Sequence, residues 1–183
     1  MKVKVFKDFE DISKIPEDSI VIVSKDFDIL KEHEKHPLEA GIDLYCTQDV
    51  TLSKFEIKII PTGVKVKTPP GIYTAILPRS STPLNYKILI PNSMGVIDPT
   101  YRGEMGIISL ALTDLSIQRG SKLAQMIFHI NIPVANTWVY PLGLTELHIF
   151  YYLSDDIFNN FEKYFPSYRG NKGFGSTGNR YEL

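Results

Sequence analysis

Residues 55–77 read FEIKIIPTGVKVKTPPGIYTAIL, and this stretch decides the fold. Its apolar runs are short, alternating or β-branched, and the turn residues Pro61-Thr62-Gly63 and Pro69-Pro70-Gly71 separate them. The same rhythm continues to Pro133 through KILI, GIISLAL and AQMIFHI. Short strands at a spacing of about 8 to 12 residues, with no long helical period between them, predict an all-β fold. The expected architecture is a distorted jelly roll or β-barrel-like sandwich.

Two stretches depart from this rhythm and predict short helical insertions. Residues 24–37 (SKDFDILKEHEKHP) are charged and fit a short helix or an exposed arm. Residues 154–165 (SDDIFNNFEKYF) begin with a Ser-Asp-Asp cap and place Ile157, Phe158 and the phenylalanines after them on one helical face. Both are expected to be additions to the β core.

Length and composition predict a single domain over residues 1–183, because 43% hydrophobic residues suffice for one core without metal or disulfide staples. Within it we expect an N-terminal strand and arm (1–38), a β core (39–133), an insertion-bearing segment (134–168) and a flexible C-terminal arm (169–183). The arm is polar and glycine-rich, so it has little apolar surface to bury.

Charge and cysteine content bound the location and the partners. Lys plus Arg (20) nearly balance Asp plus Glu (21), so no global basic field favours nucleic acid or an anionic membrane. The chain has one cysteine, which fits a reducing compartment, and it has no apolar run of signal-peptide or membrane-spanning length. A cytoplasmic protein, or one inside a host cell if the source is viral, is predicted.

The segment GVIDPTYRGE, residues 95–104, carries a candidate catalytic acid. Asp98 follows an apolar run and precedes Pro99, which forces a turn and holds the carboxylate on a rigid bend. An aspartate that only caps its turn has the same pattern, and Tyr101 and Arg102 read equally well as surface residues. The segment alone leaves both interpretations open.

The segment RGNKGFGSTG, residues 169–178, has the composition of a phosphate cradle. Its glycines expose backbone N–H groups, and its arginine, lysine, serine and threonine add donors suited to phosphate oxygens. It lacks Walker spacing and is not a P-loop. A flexible linker is the alternative, but a lone aromatic, Phe174, favours a lid over a planar ligand such as a base.

Five segments in this order give the chain a family resemblance: AGIDLY (40–45), PRSS (78–81), GVIDPTYRGE, GSKLAQMIF (120–128) and RGNKGFGSTG. The chain resembles the trimeric-type dUTPases, whose five motifs occur in the same order along the chain. The resemblance implies hydrolysis of dUTP to dUMP and pyrophosphate, which limits uracil in DNA and supplies dUMP for thymidylate. It also implies a homotrimer with active sites shared between subunits. The motifs do not identify a regulatory protein partner.

The resemblance implies a role for each matching residue. Asp98 is the general base that activates the attacking water. Asn92 and Gly95 belong to the uracil-binding hairpin, Tyr101 lies against the deoxyribose, and Phe174 covers the uracil ring. The implied phosphate-binding residues are Arg79, Ser80, Gln125, Arg169, Ser176 and Thr177.

The implied cofactor is Mg²⁺, held mainly by the triphosphate and waters, with Asp43 as an outer-shell ligand through water. The four histidines do not show zinc-ligand spacing, which agrees with this expectation. Three departures from the family pattern stand out: Ser81-Thr82-Pro83 after the second motif, Ser121 in the fourth, and Lys172 in the fifth.

Two other functions are alternatives to dUTP hydrolysis as interpretations of this sequence. A dCTP deaminase, or a bifunctional deaminase and dUTPase, shares the fold, and PRSS also echoes its motif. That chemistry needs a glutamate shortly after the third motif, but no acid occurs between Glu104 and Asp114. A regulatory or partner-binding trimer that has lost hydrolysis would have lost site residues, and those residues are present here.

Overall fold

A computed structural model describes residues 2–34, 38–130 and 146–173 of the chain, and these residues form mostly short strands. The strands are β1 (Lys2–Lys7), β2 (Ile20–Ser24), β3 (Ile42–Tyr45), β4 (Val50–Leu52), β5 (Ile57–Pro61), β6 (Val64–Lys67), β7 (Ile72–Pro78), β8 (Ile88–Leu89), β9 (Gly95–Ile97), β10 (Gly106–Ala111), β11 (Leu115–Ile117), β12 (Lys122–Ile130) and β13 (Glu146–Leu153). The helices are α1 (Leu30–His33), α2 (Thr82–Tyr86), α3 (Asp155–Asn159) and α4 (Phe161–Tyr164), with one 3₁₀ turn at Ile12–Lys14.

The strands pair into small open sheets that pack around a shared core. Their orders are β1-β13-β2-β6, β3-β12-β7-β9, β5-β10-β8 and β11-β4. Pairing is antiparallel except for β13, which runs parallel to both β1 and β2. The all-β prediction is therefore confirmed. Within the described residues the sheets keep free edges, so the sandwich does not close into a barrel.

Strands β5 and β6, both within residues 55–77, differ in which of their apolar side chains are buried. In β6, Val64 and Val66 are buried while the two lysines between and after them are partly exposed, as a period of two requires. In β5, by contrast, Ile57 and Ile59 are exposed, and Ile60 is fully buried. One strand thus follows the simple alternation, and its neighbour in sequence presents apolar side chains to solvent.

Strand β2 is buried along its whole length because both of its faces are covered. Ile20 and Ile22 join the main core between the sheets, and Val21 and Val23 join a second, aromatic core. Helices α3 and α4 supply that second core from the other side. A continuous apolar run is the pattern of a strand covered on both faces.

The predicted helix over 154–165 forms as two short helices. Ser154 caps α3 as expected, and its Oγ accepts a hydrogen bond from the Ile157 N–H at 3.2 Å. The helix breaks at Asn160, whose side-chain amide donates to the Asp156 carbonyl oxygen at 3.0 Å. The Asn160 N–H donates to the same carbonyl oxygen, and the backbone leaves the helical conformation at this residue (φ −102°, ψ 17°), so a new helix begins at Phe161.

The described part of the insertion-bearing segment, residues 146–168, mainly builds core. Six of its aromatic side chains are buried: Phe150, Tyr151, Tyr152, Phe158, Phe161 and Phe165. Trp138 and Tyr140 lie outside the described residues. Residues 24–34 contain helix α1, which is one of the two forms expected for that stretch. No helix in the described part of the chain is long and apolar enough to cross a membrane.

Candidate active site

A pocket of about 280 Å³ opens where β9 and β10 meet the turn between them and the start of the C-terminal segment. We call it the nucleoside pocket. It brings together five of the predicted site residues, from two parts of the sequence that lie far apart. These are Asn92, Gly95, Asp98, Tyr101 and Arg169. The apolar lining comes from Ile76, Ile90, Val96, Ile97 and Ile108.

Asp98 occupies the first position of a turn that directly follows β9. The Tyr101 N–H donates to the Asp98 carbonyl oxygen at 3.0 Å, which closes the turn. The Asp98 side chain is 49% exposed, and its carboxylate pairs with the guanidinium of Arg169. The acid therefore stands at the pocket edge, within reach of solvent.

Tyr101 is buried, with 8% of its surface exposed, and its ring forms one wall of the pocket. Its hydroxyl donates to the Glu104 carbonyl oxygen at 3.0 Å. Burial raises the pKa of Tyr101, which keeps the hydroxyl neutral. A surface position for Tyr101 is thereby excluded.

Two glycines let the backbone approach this ring. A Cβ atom on Gly103 would lie 2.2 Å from the Tyr101 hydroxyl oxygen, and one on Gly173 would lie 2.9 Å from a ring carbon. No side chain fits at such distances without moving the ring. The position of Tyr101 thus depends on glycine at both sites.

The hairpin that ends at Gly95 presents a polar amide beside apolar walls. A Cβ atom on Gly95 would come within 3.3 Å of the Asn92 amide nitrogen, so glycine leaves room for that side chain. A flat apolar slot with an amide at one end is suited to a planar ring that carries hydrogen-bonding groups on its edge.

Two more predicted residues, Asp43 on β3 and Arg79 just after β7, meet Lys122 at the start of β12, and we call these three residues the Asp43 cluster. Arg79 Nε lies 2.7 Å from one Asp43 carboxylate oxygen, and Lys122 Nζ lies 3.1 Å from the other. The cluster borders a cavity of about 220 Å³. Lys122 is a residue that the sequence analysis missed, although it stands in the fourth motif.

Gln125 stands next to Asp43 across the β3–β12 pairing. Its Nε2 donates to the Pro78 carbonyl oxygen at 3.1 Å, and a Cβ atom on Gly41 would lie 2.2 Å from its Oε1. The first, second and fourth motifs therefore converge, and the amide is held beside the charges. Ser80 is exposed in the loop after β7, near the start of α2.

The departure Ser81-Thr82-Pro83 has a structural reason, because it starts helix α2. Pro83 lies in the first turn of the helix, where a missing N–H is tolerated. Thr82 is buried, and its hydroxyl donates to the Leu123 carbonyl oxygen at 2.7 Å. This bond ties the loop that carries Arg79 and Ser80 to strand β12.

The two regions share no lining residue, so within one chain they are separate pockets. Phe174, Ser176 and Thr177 lie outside the described residues. The described start of the fifth motif, residues 169–173, packs on the third motif of the same chain through a bridge between Tyr101 and Gly170.

The donor set fits a magnesium ion that the protein does not cage by itself. No group of three or more histidine, cysteine, aspartate or glutamate side chains with metal-site geometry occurs among residues 2–34, 38–130 and 146–173. Asp43 offers a single carboxylate, already flanked by two cations. Mg²⁺ commonly binds through one or two carboxylates together with waters and substrate phosphates, and this site matches that mode.

Comparisons with known proteins point to one family. The dUTPase family model matches residues 28–138. The chain is 33% identical over 147 residues to the deoxyuridine 5'-triphosphate nucleotidohydrolase of Clostridium novyi (strain NT), a match that covers 79% of this chain and 88% of the relative. It is 40% identical over 102 residues to the protein of that name from Solibacter usitatus, covering 54% of this chain and 69% of the relative.

Solved structures share the fold. The dUTPase of Streptococcus mutans superposes with a TM-score of 0.51 at 27% identity, covering 54% of this chain and 84% of that one. A mutant dUTPase from phage phi11 of S. aureus, described with a structural Mg(II) ion, gives a TM-score of 0.53 at 20% identity. That match covers 69% of this chain and 99% of the phage protein, and it bears on the fold alone.

Proposed function

The chain belongs to the dUTPase family, and we propose that it hydrolyses dUTP to dUMP and pyrophosphate through water attack on the α-phosphorus. The observation that supports this most directly is the nucleoside pocket, in which Asp98, Tyr101 and Asn92 line one cavity. Such an activity limits uracil in DNA and supplies dUMP for thymidylate synthesis.

Recognition of the nucleoside rests on shape and on paired polar groups. The Asn92 hairpin reads the edge of uracil, and Gly95 leaves room for it. Cytosine exchanges a donor and an acceptor on that edge, and an unpaired buried polar group costs about 1 to 3 kcal/mol. The Tyr101 ring lies against the deoxyribose, where a 2′-hydroxyl of ribose would clash.

Asp98 acts as the general base. Its carboxylate takes a proton from water, and the oxygen of that water forms the new bond to the α-phosphorus. The bond from phosphorus to the oxygen that bridges to the β-phosphate breaks, and pyrophosphate leaves with that oxygen. Half-exposure of the Asp98 side chain gives the water access to it.

Arg169 has two partners in this scheme. Without a ligand it pairs with Asp98. A triphosphate offers the guanidinium a more highly charged partner, so Arg169 turns to the phosphate chain and leaves the carboxylate free for water. Ser176 and Thr177 also bind the γ-phosphate, and Phe174 covers the base.

The Asp43 cluster receives the rest of the phosphate chain. Arg79, Ser80 and Gln125 donate to its oxygens, and charge-assisted donors of this kind stabilise the bridging oxygen as it becomes a leaving group. Mg²⁺ held mainly by the triphosphate and waters would supply neutralising charge. Asp43 would be its outer-shell partner, accepting hydrogen bonds from bound water once Arg79 has moved to the phosphates.

A homotrimer with shared sites accounts for the separation of the two regions. An exposed apolar face on β5, β10 and β8 supports association: Ile57 and Ile59 lie opposite Leu110 and Ile108, and Leu89 lies opposite Leu110. Apolar faces of this kind mark contact surfaces. Size-exclusion chromatography with light scattering should give three times the chain mass, and Ile59→Lys should shift it to monomer.

A phosphate-release assay with added pyrophosphatase tests the function across dUTP, dCTP, dTTP and UTP. We expect release from dUTP at least about 10²-fold above the others, because cytosine would leave polar groups unpaired, and the methyl group of thymine and the 2′-hydroxyl of ribose need space that the site does not provide. Ammonia release from dCTP would instead establish the deaminase.

Deleting residues 174–183 should lower turnover far more than the melting temperature, because that stretch has little apolar surface.

The deaminase is disfavoured by the position of Glu104. Its carboxylate accepts a hydrogen bond from the Gly63 N–H at 2.8 Å and lies 4.0 Å from Lys25 Nζ. That carboxylate is committed to the turn between β5 and β6. Proton transfer at cytosine needs a free acid within hydrogen-bond reach of the base.

A further inference from the structure

Arg102 is buried beside the turn that carries Asp98, which we call the catalytic turn. The sequence alone was also compatible with a surface position for this residue. Only 6% of its surface is exposed. Its guanidinium donates from Nη1 to the carbonyl oxygens of Pro99 at 2.6 Å and Tyr101 at 2.9 Å. Nε donates to the Phe165 carbonyl oxygen at 2.7 Å. A buried cation that binds carbonyl groups of two distant segments fixes their relative position.

Ser167 completes the set from the other segment. Its hydroxyl donates to the Thr100 carbonyl oxygen at 2.6 Å and accepts from the Gly170 N–H at 2.9 Å. The successive carbonyl groups of residues 99, 100 and 101 are thus all bound by these two side chains. The turn that carries Asp98 has little freedom left.

The backbone joins the same two segments. The Arg102 N–H donates to the Gly170 carbonyl oxygen at 2.7 Å. Gly170 has a φ of +57°, in the left-handed region that favours glycine. Arg169, the residue before it, is thereby directed at Asp98.

We propose that Arg102 and Ser167 are positioning residues that latch the start of the fifth motif to the catalytic turn, so that Arg169 and Asp98 meet the phosphate chain in one fixed geometry. We call these contacts the latch. This inference rests on the proposed function. Neither side chain lines the nucleoside pocket, so both act through Asp98 and Arg169.

Kinetics of two variants test the latch. Ser167→Ala should lower kcat for dUTP about 10-fold and Arg102→Lys about 10²-fold, because small misplacements of reacting groups have effects of that size. Inhibition by dUMP should stay within about twofold, since that product does not require Arg169. Equal weakening of dUMP would overturn the proposal, because it would mean general damage to the pocket.

Matched substitutions elsewhere provide the controls. The Ser24 hydroxyl donates to the Phe27 carbonyl oxygen at 2.6 Å, and Arg119 Nε donates to the Thr47 carbonyl oxygen at 3.0 Å, both outside the nucleoside pocket. Ser24→Ala and Arg119→Lys should lower stability without changing kcat by more than about twofold. Loss of kcat in these controls equal to that in the latch variants would contradict a specific role.

A double-mutant cycle separates positioning from folding. If Ser167 acts through Arg169, Ser167→Ala should change kcat less than about twofold when Arg169 is already alanine. The same 10-fold loss in both backgrounds would overturn the proposal. Ser167→Ala is the decisive variant should Arg102→Lys fail to fold, because it deletes a single hydroxyl.

Trypsin cleavage after Arg169 and Lys172 reports the latch without turnover. Cleavage in the full-length Ser167→Ala variant should be several-fold faster than in wild type, because the local opening equilibrium controls the rate. Unchanged cleavage in an active dUTPase overturns the latch alone. A wild-type protein that does not hydrolyse dUTP overturns the proposed function, and with it the positioning role, even if the cleavage rate changes.

Discussion

The nucleoside pocket is walled largely by apolar side chains, of which Ile76 and Ile90 are buried, whereas the Asp43 cluster is a group of charges that hold one another. In the pocket, Tyr101 is fixed by close backbone approach at Gly103 and Gly173. In the cluster, Arg79 and Lys122 both pair with one acid, Asp43, and Lys122 also lies over the Tyr45 ring. Packed walls give a preformed shape, and charges give a site that can rearrange when an anion arrives.

Each region also pairs a predicted phosphate-binding arginine with a predicted acid. Arg169 holds Asp98 and Arg79 holds Asp43. A triphosphate would compete for both guanidinium groups at once. The pocket should therefore control which nucleoside binds, and the charged groups should control how strongly its phosphates bind and how fast they react.

The strongest test of this division is Asp98→Asn. Turnover of dUTP should fall by at least about 10²-fold, the typical effect of removing a general base. Binding of a non-hydrolysable dUTP analogue should change only a few-fold, because Asn keeps the size and the turn. Calorimetry measures the binding, with Asp114→Asn as a control. Near-normal turnover would remove Asp98 from the role.

A smaller effect is expected for Arg79→Ala. Loss of one charge-assisted hydrogen bond, about 1.5 to 3 kcal/mol, should lower kcat/KM for dUTP about 10-fold or more and leave dUMP inhibition nearly unchanged. Arg119→Ala is the matched control, since that arginine pairs with Asp26 at 3.1 Å away from the site. Equal loss of dUMP binding would show that the two regions are not separable.

Ionic strength should distinguish the regions in the wild-type protein. The KM for dUTP should rise several-fold between 50 and 500 mM KCl, because salt screens exposed charges. The Debye length is about 10 Å at 0.1 M and becomes shorter as the salt concentration rises. The inhibition constant of deoxyuridine should hardly change, because its contacts are apolar and uncharged. Parallel salt dependence of both ligands would contradict the comparison.

The smallest effect belongs to Tyr101→Phe. The ring stays, and one hydrogen bond to the Glu104 carbonyl oxygen disappears, worth about 1 kcal/mol. The melting temperature should fall by about 2 to 4 °C, with selectivity for dUTP over UTP nearly intact. Tyr101→Ala should relax that selectivity. A large loss of selectivity in the phenylalanine variant would assign the discrimination to the hydroxyl.

Local sequence patterns predicted the elements that depend on local chemistry. The alternation in GVKVK, the cap at Ser154 and the turn after Asp98 all appear in the structure. The exposure of Ile57 and Ile59 was not foreseen, because an apolar strand residue reads as core wherever it lies. The break at Asn160 was also missed, since the apolar residues Ile157, Phe158, Phe161 and Phe165 keep a helical spacing across it.

By itself, the sequence determined the all-β class and the residue types available for the chemistry, because strand periodicity, turns and motif composition are short-range properties. The tertiary structure alone decided which of those residues meet. Arg102 reaches a carbonyl group 63 positions away, and Arg169 reaches an acid 71 positions away. Contacts at such separations depend on how the sheets pack and leave no local pattern, so the latch and the pairing of Asp98 appear only once the chain is folded.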